Sequence, residues 1–112
     1  MKWEAFVAIA KELPEVEEST SWGSPSLKVR GKYIGGFNVE EKAFVLRLTA
    51  VEEQAFLCEA APQIYYITPH YRNYPAVLAR PSKLTKKEAR ARLERAWRLQ
   101  APKTLVRKFD AV

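Results

Sequence analysis

Two prolines, Pro69 and Pro75, bracket the segment His70-Tyr71-Arg72-Asn73-Tyr74 between apolar runs that end at Ile67 and resume at Ala76. Each ring fixes its own φ and pushes the preceding residue out of the helical region, so Thr68 and Tyr74 are extended and His70 to Asn73 form a stiff bend. The spacing therefore predicts two short strands, Ile64 to Ile67 and Ala76 to Arg80, with a rigid loop displaying polar aromatics and an arginine between them.

The rest of the chain supplies elements of both kinds. Trp3, Phe6, Val7, Ala10 and Leu13 recur at spacings of three and four, which predicts a first helix from Lys2 to Leu13 that stops at Pro14. Glu12, Glu15, Glu17 and Glu18 form an acidic patch at its exit, and Ser19 to Pro25 reads as turn and loop. Ser26 to Arg30 alternates apolar and basic, and Gly31-Lys32 reads as a type II′ hairpin connection that sets Val29 opposite Ile34. Phe37 and Val39 are out of phase with Ile34. A bulge or bend at Gly35-Gly36 is needed to return them to the core side. Ala43 to Leu48 is a third strand with Phe44, Leu46 and Leu48 on one side. Two capping boxes, Thr49 with Glu52 and Thr85 with Glu88, open a second helix reaching Ala61 and a third whose Ala89, Leu93, Ala96 and Trp97 share a face. Pro102 begins a last short helix carrying Leu105, Val106 and Phe109.

At 112 residues, 47% hydrophobic, the chain suits one domain, 1–112, around one core. The acid at Glu4 disfavours a secretory leader, and no apolar run approaches a membrane span, so a cytoplasmic protein without membrane contact is expected. The lone Cys58 excludes an internal disulfide and reads as a small buried hydrophobe. Net charge is +6 and uneven: residues 1–82 carry nine Lys/Arg against ten Asp/Glu, residues 83–112 ten against three. Such a tail suits phosphates or a solvated helix, and Glu88 and Glu94, four residues before Arg92 and Arg98, account for part of it as surface ion pairs. Gly31 and Gly35-Gly36 lack the spacing of a phosphate-cradling loop.

Three ordered motifs, Ser21-Trp22-Gly23-Ser24-Pro25 running into Leu27-Lys28-Val29-Arg30-Gly31-Lys32, Thr68-Pro69-His70-Tyr71-Arg72-Asn73-Tyr74-Pro75, and Ala96-Trp97-Arg98-Leu99-Gln100-Ala101-Pro102-Lys103, together resemble the MmcQ/YjbR-like family of small bacterial proteins across the whole chain. The resemblance implies an α+β, CyaY-like two-layer fold: an antiparallel sheet of about five strands with helices packed on one face. It also implies binding of double-stranded DNA through a double-wing arrangement, and it transfers no catalytic residue. Frataxin-like proteins associate with iron through carboxylates near the first helix. Only Glu12, Glu15, Glu17 and Glu18 stand in a comparable place, and the +6 balance departs from that acidic pattern, so no metal and no cofactor are expected.

Two site readings follow. In the first, Lys28, Arg30 and Lys32 on the hairpin, Arg72 from the Pro-bounded loop, and Arg47 and Arg80 from neighbouring strands meet the phosphates of a duplex. The plainer account of the hairpin charges is protection of an exposed sheet edge. In the second, Trp22, Ser24, His70, Tyr71 and Tyr74 line a cleft for a small ligand or a protein partner. His70 is the only imidazole and has no sequence-local nucleophile, so the expected protein is a non-catalytic monomer in which His70 is hydrogen-bonded within its loop.

Overall fold

The computed structural model describes residues 1–111. The apolar stripe of the first helix forms α1 (Trp3–Ala10), followed by turns as far as Glu15 instead of further helix. Four strands come next: β1 (Val16–Ser21), β2 (Ser24–Val29), β3 (Lys32–Asn38) and β4 (Ala43–Arg47). Then come α2 (Glu52–Ala60), the two-residue β5 (Tyr65–Tyr66), one 3-10 turn (Pro69–Tyr71) and β6 (Ala76–Ala79). The chain closes with α3 (Lys86–Gln100) and α4 (Lys103–Asp110). All strands pair antiparallel in one six-stranded sheet, ordered β1-β2-β3-β4-β6-β5, so the fold is α+β with four helices against the sheet.

The sheet has one strand more than the sequence suggests. In β1 only Val16 is buried, because the strand lies at the edge and Glu17, Glu18, Ser19 and Thr20 meet solvent. An edge strand dressed in charge resists pairing with other chains, and for the same reason it shows no apolar alternation. Its turn to β2, Trp22-Gly23, has positive φ at both residues (+50° and +78°), as a type I′ connection requires.

The next turn is Arg30-Gly31, also positive at both residues (+50° and +79°), with Val29 opposite Lys32. The Gly31-Lys32 turn and the Val29 to Ile34 pairing are thereby corrected. Glycine serves as the second central residue of a type I′ turn, not the first of a type II′. Lys28 then faces Tyr33 while Leu27 faces Gly35, so Ile34 is the unopposed residue of a bulge. The phase change inferred from the sequence exists one position earlier, and it does bring Phe37 against the helix-side core. Val39 lies past the strand end and is exposed. Gly36 is a close-approach position, since a Cβ there would sit 2.5 Å from the Tyr33 hydroxyl and 2.8 Å from the Pro25 carbonyl.

The core lies between the sheet and the helices. Phe6 stacks on Phe44 at 4.2 Å, Leu93 and Trp97 of α3 are fully buried, and the Trp97 indole donates to the Pro14 carbonyl at 2.9 Å. Each such fully buried large side chain contributes about 1.5–3 kcal/mol. Thr85 caps α3 by accepting from the Glu88 amide at 3.1 Å, one half of the predicted box, while the Glu88 carboxylate accepts from the Tyr65 hydroxyl at 2.6 Å instead of reaching back. At α2 the carboxylate that reaches back is Glu53, not Glu52: it accepts from the Thr49 and Ala50 amides at 2.8 and 3.2 Å. The helical turn begins before Glu52 there, which moves the reciprocal partner on by one residue. Cys58 is half-buried against the core, and burial pushes its thiol pKa up. Among the described residues no helix is long and apolar enough to cross a membrane.

Candidate functional site

Alternation along the strands gives the sheet a second face. Phe44 and Leu46 join the helix-side core, whereas Ala43 and Val45 cluster with Ala76, Leu78 and Tyr71. Among the described residues no α-helix contributes to this second cluster; the Pro-bounded loop, with its 3-10 turn, supplies Tyr71 to it.

The loop holds its shape through a residue far from it in sequence. Gln54 of α2 is a buried amide whose two Nε2 hydrogens are shared among the carbonyls of Tyr71 (2.8 Å), Tyr74 (3.0 Å) and Ala76 (2.8 Å). Backbone bonds from the Tyr71 amide to the Thr68 carbonyl (3.0 Å) and from the Tyr74 amide to the Tyr71 carbonyl (3.0 Å) complete the bend. Asn73 takes the left-handed conformation (φ +64°), which asparagine tolerates well. At the far end of the Tyr71 ring the hydroxyl accepts from Asn38 Nδ2 at 2.9 Å. Asn38 Oδ1 in turn accepts from the Glu41 amide at 2.9 Å, so one asparagine fixes both the loop and the β3–β4 turn. Glu41 also accepts from the Tyr66 hydroxyl at 2.9 Å.

Between these walls lies a groove of ≈ 860 Å³. The β1–β2 turn lines it with Ser21, Trp22, Ser24 and Pro25, the β3–β4 turn with Asn38 to Glu41, and the loop with Thr68 to Tyr71 and Tyr74. Tyr33 and Val45 lie beneath. Burial, reinforced by the neighbouring Tyr71 and Tyr74, raises the Tyr33 hydroxyl well above its ordinary value of 10.0, so it stays a neutral donor. Trp22 is 94% exposed, a large indole left almost wholly in solvent. Trp22, Ser24, His70, Tyr71 and Tyr74 thus share one groove.

His70 does not hold the loop in place. Its ring is exposed and stands edge-on to Tyr71 at 5.2 Å, and among the described residues it makes no side-chain hydrogen bond. The pinning expected of it falls to Gln54 and Tyr71 instead. The Ser21 hydroxyl donates to Ser26 at 3.2 Å and not to the imidazole.

None of the six cations assigned to phosphates lines the groove, and four of them have separate engagements. Arg30 grips Glu15 with two bonds, at 2.5 and 3.1 Å, which lower the carboxyl pKa and raise that of the guanidinium. Lys28 donates to the Thr20 carbonyl at 3.3 Å and faces Glu17 across the ladder. Arg47 turns inward to the carbonyls of Leu48 and Pro75. Arg80 lies over the Tyr66 ring at 4.2 Å. Lys32 and Arg72 are exposed and form no ion pair among the described residues.

Carboxylates also occupy much of the C-terminal charge. Arg98 binds Glu94 at 2.9 Å and Asp110 at 2.7 Å, Arg90 binds Glu94 at 2.6 Å and Glu12 at 3.0 Å, and Arg95 binds Glu53 at 3.2 Å. Of the acids near the first helix, Glu12, Glu15 and Glu18 are each paired with a cation, the last with Lys11 at 3.5 Å. Among the described residues no three His, Cys, Asp or Glu side chains converge as metal ligands.

Tyr33, Asn38, Glu40, Glu41 and Gln54 carry no sequence mark of a place at or behind the groove. An asparagine at a strand end signals a turn, but nothing local marks Gln54 as the fastener of a loop 17 to 22 residues away.

The sequence model of the YjbR family matches residues 11–99. The chain is 42% identical over 50 residues to the "Uncharacterized protein Mb2600" of Mycobacterium bovis and to the "Uncharacterized protein Rv2570" of Mycobacterium tuberculosis. That segment is 45% of this chain and 39% of each relative, so the chain matches well under half the length of the curated proteins it resembles. No solved structure gives a significant match.

Proposed function

The chain belongs to the YjbR family, and from that premise and the geometry of the open sheet face we propose a non-catalytic binding module whose site is the aromatic groove. One observation carries this reading: a ≈ 860 Å³ groove in which Trp22, Tyr33, His70, Tyr71 and Tyr74 converge from three separated segments. That volume falls in the roughly 300–1,000 Å³ range of small-molecule pockets. The test is an amide NMR titration of the whole chain with indole and benzamide. Shifts should cluster at residues 21–25, 38–41 and 68–74; no shifts, or shifts spread over the helices, would reject the site.

Double-stranded DNA is the second reading, favoured by Lys28, Lys32 and Arg72, which have no ion-pair partner among the described residues. Three phosphate contacts would cost roughly forty-fold in duplex affinity between about 50 and about 200 mM salt. Fluorescence anisotropy with a labelled duplex measures that slope, and a folded protein that does not bind at the lower salt removes DNA from consideration.

A further inference from the structure

We infer that the groove selects a small organic cation, an alkylated ammonium group that fits among aromatic faces. This inference rests on the groove being the binding site. The lining contains no lysine and no arginine, in a chain that has 19 of them, and its only formally charged members are Glu40 and Glu41. The groove thus has the opposite polarity to the protein as a whole. An anion would find no fixed positive charge there, and a neutral ring would gain at most a hydrogen bond from the two carboxylates, where a cation gains their charge as well.

The side chains are available for this task. Glu40 is exposed and has no hydrogen-bond or ion-pair partner among the described residues, and Glu41 uses one oxygen for the Tyr66 hydroxyl and leaves the other open. Lys42, the next residue in the turn, does not line the groove. Aromatic faces carry the negative end of their quadrupole outward, which draws a desolvated cation placed over them. Trp22 sits at a turn tip with φ +50°, an uncommon conformation for a bulky residue, and its exposed indole recovers little by packing within the fold. A ligand enclosed between Trp22 and the Tyr33 and Tyr74 rings would supply the missing contact.

A charge series of one shape tests the idea by calorimetry on the whole chain: benzyltrimethylammonium, benzyl alcohol and benzoate. The cation should bind about ten-fold more tightly than the alcohol, with benzoate weakest. The double variant Glu40→Gln with Glu41→Gln should erase most of that advantage of cation over alcohol, while a glutamine oxygen can still accept from Tyr66 and keep the turn in place. Trp22→Ala should weaken cation and alcohol alike. Equal binding of the three probes, or benzoate binding best, overturns the cation inference and leaves the groove standing. Loss of cation preference must follow the carboxylates; a double variant that keeps the full preference overturns the inference too. No binding by any of the three probes overturns both readings.

Discussion

The two faces of the sheet are built by different means. On the helix side Phe6, Phe44, Leu93 and Trp97 are wholly enclosed, and the only polar atom prominent among them, the Trp97 indole nitrogen, is satisfied by Pro14. On the other side a thinner cluster is roofed by a loop that one buried amide fastens, and aromatic rings remain in reach of solvent. Stability comes from the first face by continuous apolar packing, which tolerates no gap. The second face trades packing for access, and its order depends on a few hydrogen bonds at named atoms.

Substitutions can separate these roles. The largest effect belongs to Trp97→Ala, which opens a cavity in the helix-side core and should cost about 3–5 kcal/mol in urea unfolding. A loss below about 1 kcal/mol would mean that the enclosed face is not the stabilising one. Gln54→Leu should follow, at about 1–3 kcal/mol, because it removes the side-chain amide's bonds to three carbonyls and leaves those of Tyr71 and Tyr74 with their backbone partners alone. Its local signature is faster amide exchange at Tyr71, Tyr74 and Ala76 with the exchange of α3 unchanged; uniform acceleration would show that the loop is not separately fastened.

Acid should weaken the helix side next. Arg98 and Arg90 hold the Glu94 carboxyl below its ordinary 4.5; burial raises that of Glu53, but bonds from Thr49 and Ala50 and the charge of Arg95 outweigh it. The folded state then binds fewer protons than the unfolded one, so stability is complete above the ordinary value of 4.5 and is lost as pH falls through the depressed values. Urea midpoints that stay constant down to about pH 3 would contradict this. The smallest change is predicted for Trp22→Ala, within about 0.5 kcal/mol, since the side chain stands almost wholly in solvent. That variant should keep its melting temperature and still lose the binding of indole.

The elements that could be read in advance share a property: their cause is local. The Thr85 to Glu88 cap is written in four adjacent residues, and the apolar stripes of α1 and α3 need only a helical period. The shift of phase at Ile34 is visible in the sequence because alternation fails within one strand, although the turn lies one residue earlier than the glycine position suggests. Where the cause is distant, the sequence was silent. β1 pairs along its whole length yet shows no apolar pattern, because it has one neighbouring strand and only Val16 reaches the core. Arg30, Arg47 and Arg80 looked alike as cations, but a carboxylate, two carbonyls and an aromatic ring give them different occupations that only the fold brings near. The aromatic loop was legible as a display element; the groove below it required Tyr33, Asn38 and the β3–β4 turn to arrive from elsewhere.

The tryptophans make the molecule its own optical reporter. Trp97 is sealed from water, Trp22 is almost fully immersed in it, and Trp3 lies between. Denaturation must therefore shift the emission of Trp97 to longer wavelength while scarcely touching that of Trp22, and capture of a guest beside Trp22 must alter its emission while Trp97 stays dark to quenchers. One unlabelled sample can thus distinguish loss of the fold from occupation of the groove by the direction of a single spectral change.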